Sequence, residues 1–334
     1  MSALQPVAIT IGDPAGIGPE LSLKVASTDS LMTDTPIVLI GSADLLRRVA
    51  AHLKIDVDIR TITHPREAQR RPGVAWVIDV PLDAQSVVPG ELSRQCGQAT
   101  VDAIRLSTEL ALAGEVCAVC SAPANKEAFH LAGHIFEGQT EIFAHLTQTT
   151  SFHTIMIGGP LRVSLISAHC SLLEAVARVK QPRIERIMGE LHRSLREEFG
   201  FANPRIGVAG LNPHAGENGV LGSEEIEHIR PALENCRRQG MNVSDPLAAD
   251  SLFWAAEKGA YDAVLAMYHD QGTIPLKRFG YVTYAVGLPI IRTTAGHGTA
   301  FDIAWQGVAN AELLSRAAKQ AESLALTKAQ GPVN

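Results

Sequence analysis

Three of the 12 histidines stand where a metal ion would be held. His169, His214 and His269 each close an apolar run and each precede a turn-forming stretch, in LISAHC, VAGLNPHAGENG and VLAMYHDQG. In open α/β sheets, ligands bind beyond the carboxyl ends of the strands. Three neutral imidazoles on neighbouring strand ends would hold a divalent ion and leave coordination positions open, which is the catalytic type of site. Such an ion polarises a carbonyl or alcohol oxygen. The plain alternative is three separate loop histidines, since spacing does not establish that the strands are neighbours.

Two carboxylates and two cations lie close to these positions in the chain. Asp250 and Asp270 suit either of two roles, general base or the carboxylate that orients a ligating imidazole. Lys277 and Arg292 are the cations best placed for a substrate phosphate or carboxylate, Arg292 as a bidentate fork and Lys277 as a point charge. Surface solvation is the alternative for both.

The elements that must position these groups follow from the apolar pattern. Ala263 to Lys277 is an apolar run broken by Gly272 and Pro275. It reads as a buried parallel strand with His269 and Asp270 at its rim and Lys277 near it. Further strands are expected over 5–11, 36–41, 55–62, 74–80, 116–120 and 205–211, with a hairpin over 154–158 and 161–168. Helices are expected over 43–53, 97–113, 172–179, 182–198, 224–239 and 310–327, and PLAAD at 246–250 leads into another. Strand and helix alternate nearly throughout, so the fold class is α/β. The turn GDPAGIGPE at 12–20 has the look of a phosphate cradle at a helix start, but it matches neither GxGxxG nor a P-loop. Asn125 and Lys126, after the 116–120 strand, are a second candidate anion or nucleotide contact, or exposed loop residues.

Composition bounds the function. A chain of 334 residues with 46% apolar and 19% charged residues has material for two ordinary domains and no signature of disorder. A net charge of -6 without a Lys/Arg run argues against nucleic acid. The apolar runs are strand-length, so no membrane span is expected. The N-terminal stretch lacks the basic and apolar regions of a secretory signal. Five cysteines without framework spacing suit a reducing cytoplasm, and Cys117-x-x-Cys120 reads as core rather than zinc or redox.

With these residues laid out, the chain resembles the 4-hydroxythreonine-4-phosphate dehydrogenase (PdxA) family over almost its whole length. The matching stretches are GDPAGIGPE at 12–20, APANKEAF at 122–129, GLNPHAGENG at 210–219, AMYHDQG at 266–272, GLPIIRT at 287–293 and HGTAFDIAWQG at 297–307. GLNPHAGE and MYHDQG together are highly specific. The last stretch is also similar to the HGSAPDIAG signature of isocitrate and isopropylmalate dehydrogenases. That implies a two-domain α/β/α fold of their kind and a cofactor loop outside the usual Rossmann pattern, with Gly296, His297, Gly298 and Asp302 as its contacts. The implied domains are a NAD-binding one over 1–130 plus 280–334 and a metal, substrate and dimerisation one over 131–279.

The resemblance implies a metal- and NAD-dependent dehydrogenase, with NADP also admissible, that oxidises and decarboxylates a 3-hydroxy acid. Its divalent ion, zinc ahead of magnesium, cobalt, manganese or nickel, falls to His169, His214 and His269. Substrate contacts fall on Thr140, Asp250, Asp270, Lys277 and Arg292, in a site shared across a homodimer. Two departures bear on substrate. Gln139 stands where the biosynthetic members have His, and Thr283 stands where they carry a substrate-binding Asn, in a segment about three residues shorter. Gln139 keeps hydrogen bonding but cannot carry charge. The implied substrates are 4-hydroxythreonine-4-phosphate or 4-phospho-threonate and 4-phospho-erythronate. The alternative is the dicarboxylate cis-dihydrodiol of terephthalate. A non-redox metal-dependent hydrolase or aldolase is more remote, since it would need no loop like Gly296–Ala304. A metal- or anion-binding protein without catalysis would leave Asp250, Asp270 and Lys277 without a role.

Overall fold

The computed structural model of the chain describes residues 5–331. It divides into two compact units. Of the described residues, one unit holds 5–152 and Leu288–Leu326, and the other holds His153–Gly287 and 327–331. The first unit opens with β1 (Val7–Thr10), α1 (Gly18–Ser27), β2 (Ile37–Gly41), α2 (Ala43–Leu53), β3 (Asp58–Thr61) and β4 (Val74–Asp79). It continues with α3 (Arg94–Leu112), β5 (Ala118–Ser121), α4 (Lys126–Leu131) and α5 (Gln139–Leu146). The second unit begins with β6 (His153–Gly158), β7 (Leu161–Leu165), α6 (Leu172–Arg178), α7 (Gln181–Glu197), β8 (Arg205–Ala209) and α8 (Arg230–Arg238). It then holds β9 (Asn242–Leu247), α9 (Ala249–Glu257), β10 (Ala263–Ala266), α10 (His269–Lys277) and β11 (Val282–Val286). The chain returns to the first unit with β12 (Arg292–Ala295) and most of α11 (Glu312–Gln330). The class is α/β.

In the first unit six strands run parallel in the order β3-β4-β2-β1-β5-β12. Every residue of β1 and β2 is buried, as continuous apolar strands covered on both faces must be. α2 shows how locally its ends are set. The Ser42 hydroxyl accepts from the Leu45 amide at 3.3 Å, and Lys54 ends the helix in the left-handed conformation.

In the second unit the order is β11-β6-β7-β10-β8-β9. β6 runs antiparallel to β11 and β7, and the pairs from β7 to β9 are parallel. β10 lies between β7 and β8. The strands that lead to His169, His269 and His214 are therefore immediate neighbours with the same polarity, the adjacency that spacing alone leaves open.

Three elements differ from the sequence expectation. The stretch after β10 does not continue as strand and turn: residues 269–277 form α10, with Gly272 and Pro275 inside it. Gly272 permits this, because a Cβ there would stand 2.6 Å from Leu165 Cδ2 and 3.0 Å from Val163 Cγ1 on β7. Burial of Gly272, Thr273 and Leu276 on one face offsets the hydrogen bond that Pro275 cannot donate. β9 reads in the sequence only as a lead-in to a helix. It is an edge strand, where a proline such as Pro246 is tolerated, and its pairing with β8 slips between Ile206 and Val208. The helix expected over 224–239 begins instead as a π turn, Glu225–Ile229, ahead of α8. Among the described residues no helix is long and apolar enough to cross a membrane.

Candidate active site

The three histidines follow three adjacent parallel strands of the second unit. His169 comes four residues after β7, His214 five after β8 and His269 opens α10. The rings of His169 and His269 lie 5.7 Å apart between centroids, with their planes tilted by 48°. Asp270 Oδ1 is 2.8 Å from His269 Nδ1. A carboxylate only accepts, so Nδ1 carries the hydrogen and the neutral ring keeps its lone pair on Nε2. This is the pairing by which an outer carboxylate fixes the tautomer of a metal-ligating histidine. Two accessible imidazoles side by side, one with its tautomer fixed, suit a divalent ion. His214 is not gathered with them: its side chain is 73% exposed and its Nδ1 lies 3.5 Å from Glu217 Oε1. Among the described residues no three His, Cys, Asp or Glu side chains enclose an ion position.

His214 opens a run of five residues in the left-handed region, with φ of 52° at His214, 51° at Ala215, 78° at Gly216, 44° at Glu217 and 53° at Asn218. Only Gly216 adopts that region without penalty. Asn218 tolerates it at lower cost, and His214, Ala215 and Glu217 cost about 1–2 kcal/mol each. Strain of this kind persists only where surrounding contacts hold it. At the base of the arch the buried Glu225 carboxylate accepts from the Asn212 amide at 2.8 Å and from Asn212 Nδ2 at 2.9 Å. Asn212 Nδ2 also donates to Glu224 at 2.7 Å, which holds the Glu224 carboxyl below its usual range.

The other second-unit candidates are spread more widely. Asp250 is exposed in the first turn of α9, where its Oδ1 accepts from the Ser251 amide at 2.8 Å. Lys277 is exposed at the last residue of α10. At 1.5 Å per residue the helix sets it about 12 Å along the axis from His269, so Lys277 is not beside the imidazoles as the strand reading expects. Thr283 is half-buried on β11, paired with Met156.

In the first unit Gln139, Thr140 and Arg292 come together. Arg292, at the start of β12, is only 3% exposed. Its Nε donates to Ser121 Oγ at 3.2 Å and its Nη1 to Thr140 Oγ1 at 3.0 Å, and its guanidinium lies over the Phe143 ring at 5.2 Å. Burial pulls its pKa down to about 10, with Cys120 and Glu141 opposing. Its hydrogen-bond partners are hydroxyls, and among the described residues no carboxylate lies within ion-pair distance. A buried cation with neutral partners is costly unless an anion joins it. Gln139 opens α5 and its Nε2 donates to the Ala122 carbonyl at 3.1 Å, while its Oε1 is buried without a partner.

Three loops follow the carboxyl ends of β1, β5 and β12, again neighbours in a parallel sheet. The glycine turn after β1 packs against the loop after β5, where a Cβ on Gly12 would stand 2.1 Å from the Pro123 carbonyl oxygen. It also meets the loop after β12, since the Ile17 amide donates to the Thr299 carbonyl at 3.0 Å. Gly298 borders open space, and Asp302 is exposed in the short turn Phe301–Ile303. Bare backbone beside an exposed carboxylate suits a dinucleotide, whose ribose hydroxyls an acid can accept. His297 Nδ1 is 3.2 Å from the Gly298 carbonyl oxygen and its Nε2 is buried without a partner. Asn125 serves the scaffold instead. Its Oδ1 accepts from the Glu127 and Ala128 amides at 2.8 and 3.3 Å, capping α4.

Several residues that shape these sites carry no sequence signal strong enough to single them out. Ser121 and Phe143 complete the surroundings of Arg292, and Gln271 and Glu225 brace the second unit. Asp13 lies inside the glycine turn after β1. Burial raises its pKa to about 6, against a hydrogen bond from the Ala15 amide at 2.9 Å. A carboxylate inside a Gly/Pro turn is the one available signal. Glu225 gives none, sitting in what reads as an ordinary helix start.

These features define a two-unit α/β protein with a buried guanidinium among hydroxyls in one unit and, in the other, an imidazole pair in which the His269 tautomer is fixed. Residues 33–321 match the model of the family described as pyridoxal phosphate biosynthetic protein PdxA. The D-threonate 4-phosphate dehydrogenase of Salmonella typhimurium is 44% identical over 96% of this chain and 98% of its own length. The solved structure of a 4-hydroxythreonine-4-phosphate dehydrogenase from Klebsiella pneumoniae superposes with a TM-score of 0.90 at 46% identity, covering 96% of this chain and 99% of that one. A terephthalate 1,2-cis-dihydrodiol dehydrogenase from Burkholderia xenovorans superposes with a TM-score of 0.66 at 31% identity, over 99% of this chain and 100% of that one. The chain belongs to the PdxA family, and its class is that of an oxidoreductase acting on a CH–OH group.

Proposed function

We propose that this chain oxidises the 3-hydroxyl of a small 4-phosphorylated acid with NAD and a divalent ion, releasing carbon dioxide from the β-keto acid that results. D-Threonate 4-phosphate is the first candidate, followed by its erythronate isomer and 4-hydroxythreonine-4-phosphate. The observation that carries the anionic substrate is Arg292, a buried cation hydrogen-bonded to hydroxyls alone. The relative named for D-threonate 4-phosphate supports the choice within that class.

The residues divide the work. Thr140 Oγ1 accepts from Arg292, so its own hydrogen is left for a phosphate oxygen, and a charge-assisted contact of that kind is stronger than a neutral one. Gln139 adds neutral hydrogen bonding there, Lys277 a point charge for the substrate's anionic end, and Thr283 a hydroxyl. His169 and His269, joined from its exposed position by His214, would hold the ion, with Asp270 keeping the His269 hydrogen on Nδ1. Asp250 takes the alcohol proton as the carbon–hydrogen bond gives up its hydride. Gly296, His297, Gly298 and Asp302 would line the dinucleotide. When bound, the ion supplies Lewis-acid polarisation of oxygen and the nicotinamide accepts the hydride. We infer a cytoplasmic homodimer that shares its sites, and light scattering on the purified chain checks the assembly.

The test is NADH formation by purified protein with added zinc or magnesium, comparing D-threonate 4-phosphate, 4-hydroxythreonine-4-phosphate and the terephthalate cis-dihydrodiol. Turnover of a phosphorylated acid with loss of carbon dioxide is expected. Turnover of the dihydrodiol alone would replace the phosphate assignment with a dicarboxylate one, and no NADH from any of them would sink the dehydrogenase reading for these substrates.

A further inference from the structure

Resting on the metal reading above, we propose that Glu225 is a positioning residue for the metal site, holding the left-handed arch so that His214 is presented as a ligand. Its carboxylate is buried, with 1% of the residue exposed, and it makes no ion pair among the described residues. Both oxygens are spent on Asn212, two residues before His214: Oε1 on the backbone amide at 2.8 Å and Oε2 on the side-chain Nδ2 at 2.9 Å. The arch closes around the same group on its far side. A Cβ on Gly216, two residues after His214, would stand 2.7 Å from Glu225 Oε2. A Cβ on Gly210 would stand 2.7 Å from the Ala215 Cα and 3.2 Å from Glu225 Oε1. The chain therefore enters and leaves the His214 segment against one carboxylate, and four non-glycine residues keep left-handed backbone there.

A second link ties this base to the His269 side. Gln271, two residues after His269, donates from Nε2 to the Gly210 carbonyl at 2.7 Å, and its Oε1 accepts from the Met267 amide at 2.7 Å. One amide thus spans the end of β10, the start of α10 and the foot of the arch. The π turn that carries Glu225 fits the same purpose, since an extra residue in the first turn re-aims a side chain relative to a regular helix. A carboxylate that braces a ligand's backbone acts as the outer partners of metal ligands do, where loss costs about 10–100-fold in metal affinity.

The test uses cobalt(II) as the probe on metal-stripped protein, reading its visible absorption during titration. Glu225→Gln is expected to stay folded by circular dichroism, to bind cobalt(II) about tenfold or more weakly, and to change the intensity or position of the visible band. A merely structural role would lower the melting temperature but leave the band of the folded, loaded chain unchanged. His214→Ala runs beside it. Loss of cobalt(II) affinity in His214→Ala with affinity and spectrum unchanged in Glu225→Gln overturns this proposal alone. Unchanged binding in His214→Ala overturns the metal reading and the proposal together. Should Glu225→Gln fail to fold, Asn212→Ala carries the same expectation, and an unaltered cobalt(II) spectrum in that variant overturns the proposal.

Discussion

The two units build their candidate sites by the same rule and with opposite materials. Each has loops beyond the carboxyl ends of three neighbouring parallel strands, β1, β5 and β12 in the first and β7, β10 and β8 in the second, although in the first Arg292 reaches from the start of β12 to Ser121 at the end of β5. In the first unit the chemistry is buried. Arg292 is 3% exposed among hydroxyls and an aromatic ring, and Asp13 is 1% exposed in the glycine turn. In the second, His214 is 73% exposed on left-handed backbone, and the His269 side chain is 41% exposed. One site stores its cost as desolvated charge and the other as backbone strain. Such costs persist when they are recovered on binding, which under the proposed function an anion would do in the first case and a divalent cation in the second.

The largest effect that would break this contrast is at Arg292. Lowering its pKa from 12.5 to about 10 by burial corresponds to about 3 kcal/mol against the folded state at neutral pH. Arg292→Met should therefore raise the melting temperature or leave it unchanged, because removing an uncompensated buried charge relieves its desolvation. The same variant should lower kcat/KM for a phosphorylated acid by about 10³ or more, the loss of a charge-assisted contact of about 4 kcal/mol. Calorimetry and steady-state kinetics check the two signs together. A variant that is both less stable and fully active would show that Arg292 serves packing.

Asp13 sharpens the same side of the comparison through pH. Its carboxyl titrates near 6 in the folded chain against 3.8 when free. The folded state then holds the proton more tightly. Its contribution is fully present below about pH 4 and is lost as pH rises through about 6, amounting to about 3 kcal/mol. Asp13→Asn should flatten that part of the profile and be the more stable protein at pH 8. Melting curves at pH 4.5, 6 and 8 decide it, and parallel profiles for the two proteins would remove Asp13 as the source.

On the exposed side the expected effects are smaller and appear in metal binding rather than stability. Asp270→Asn offers His269 Nδ1 either an amide oxygen or an amide hydrogen, so the tautomer is no longer fixed by an acceptor-only group. Zinc affinity should fall by about 10–100-fold, with the melting temperature of the metal-free chain close to that of wild type. Competition titration with a chromophoric chelator measures the first. An unchanged affinity would assign Asp270 to substrate or to solvent instead.

How much of this is legible in the sequence follows the same division. β1, β2, β5 and α2 read off the apolar pattern because fully buried parallel strands announce themselves, and Ser42 marks its helix start. The three histidines are visible as strand-end residues. The adjacency of β7, β10 and β8 is not, because it is a property of topology. α10 escapes a local reading because Gly272 and Pro275 both signal a break. Only the proximity of Leu165 and Val163 explains why glycine is needed inside a helix. The left-handed arch is invisible for the opposite reason: His214, Ala215, Glu217 and Asn218 carry no local preference strong enough to specify it, and the buried Glu225 that braces it lies in a stretch that looks like an ordinary helix.

Gln139 is the smallest effect and the one that separates binding from stability most cleanly. A backbone carbonyl only accepts, so the bond to Ala122 fixes the amide with Nε2 inward and leaves Oε1 without a donor. Gln139→Leu deletes a hydrogen bond that contributes about 1 kcal/mol and also deletes a buried unsatisfied acceptor that costs about 1–3 kcal/mol. The two terms oppose each other, and the buried Ala122 carbonyl that loses its donor adds a cost of about 1–3 kcal/mol against the second. The folded chain should change by less than about 1 kcal/mol, in either direction, by denaturant titration. If Gln139 contributes hydrogen bonding to substrate, KM for the phosphorylated acid should nonetheless rise while the melting temperature stays, since Leu offers the ligand neither donor nor acceptor. A variant with altered stability and unchanged KM would place Gln139 with the scaffold, and leave Arg292 and Thr140 as the groups that recognise the anion.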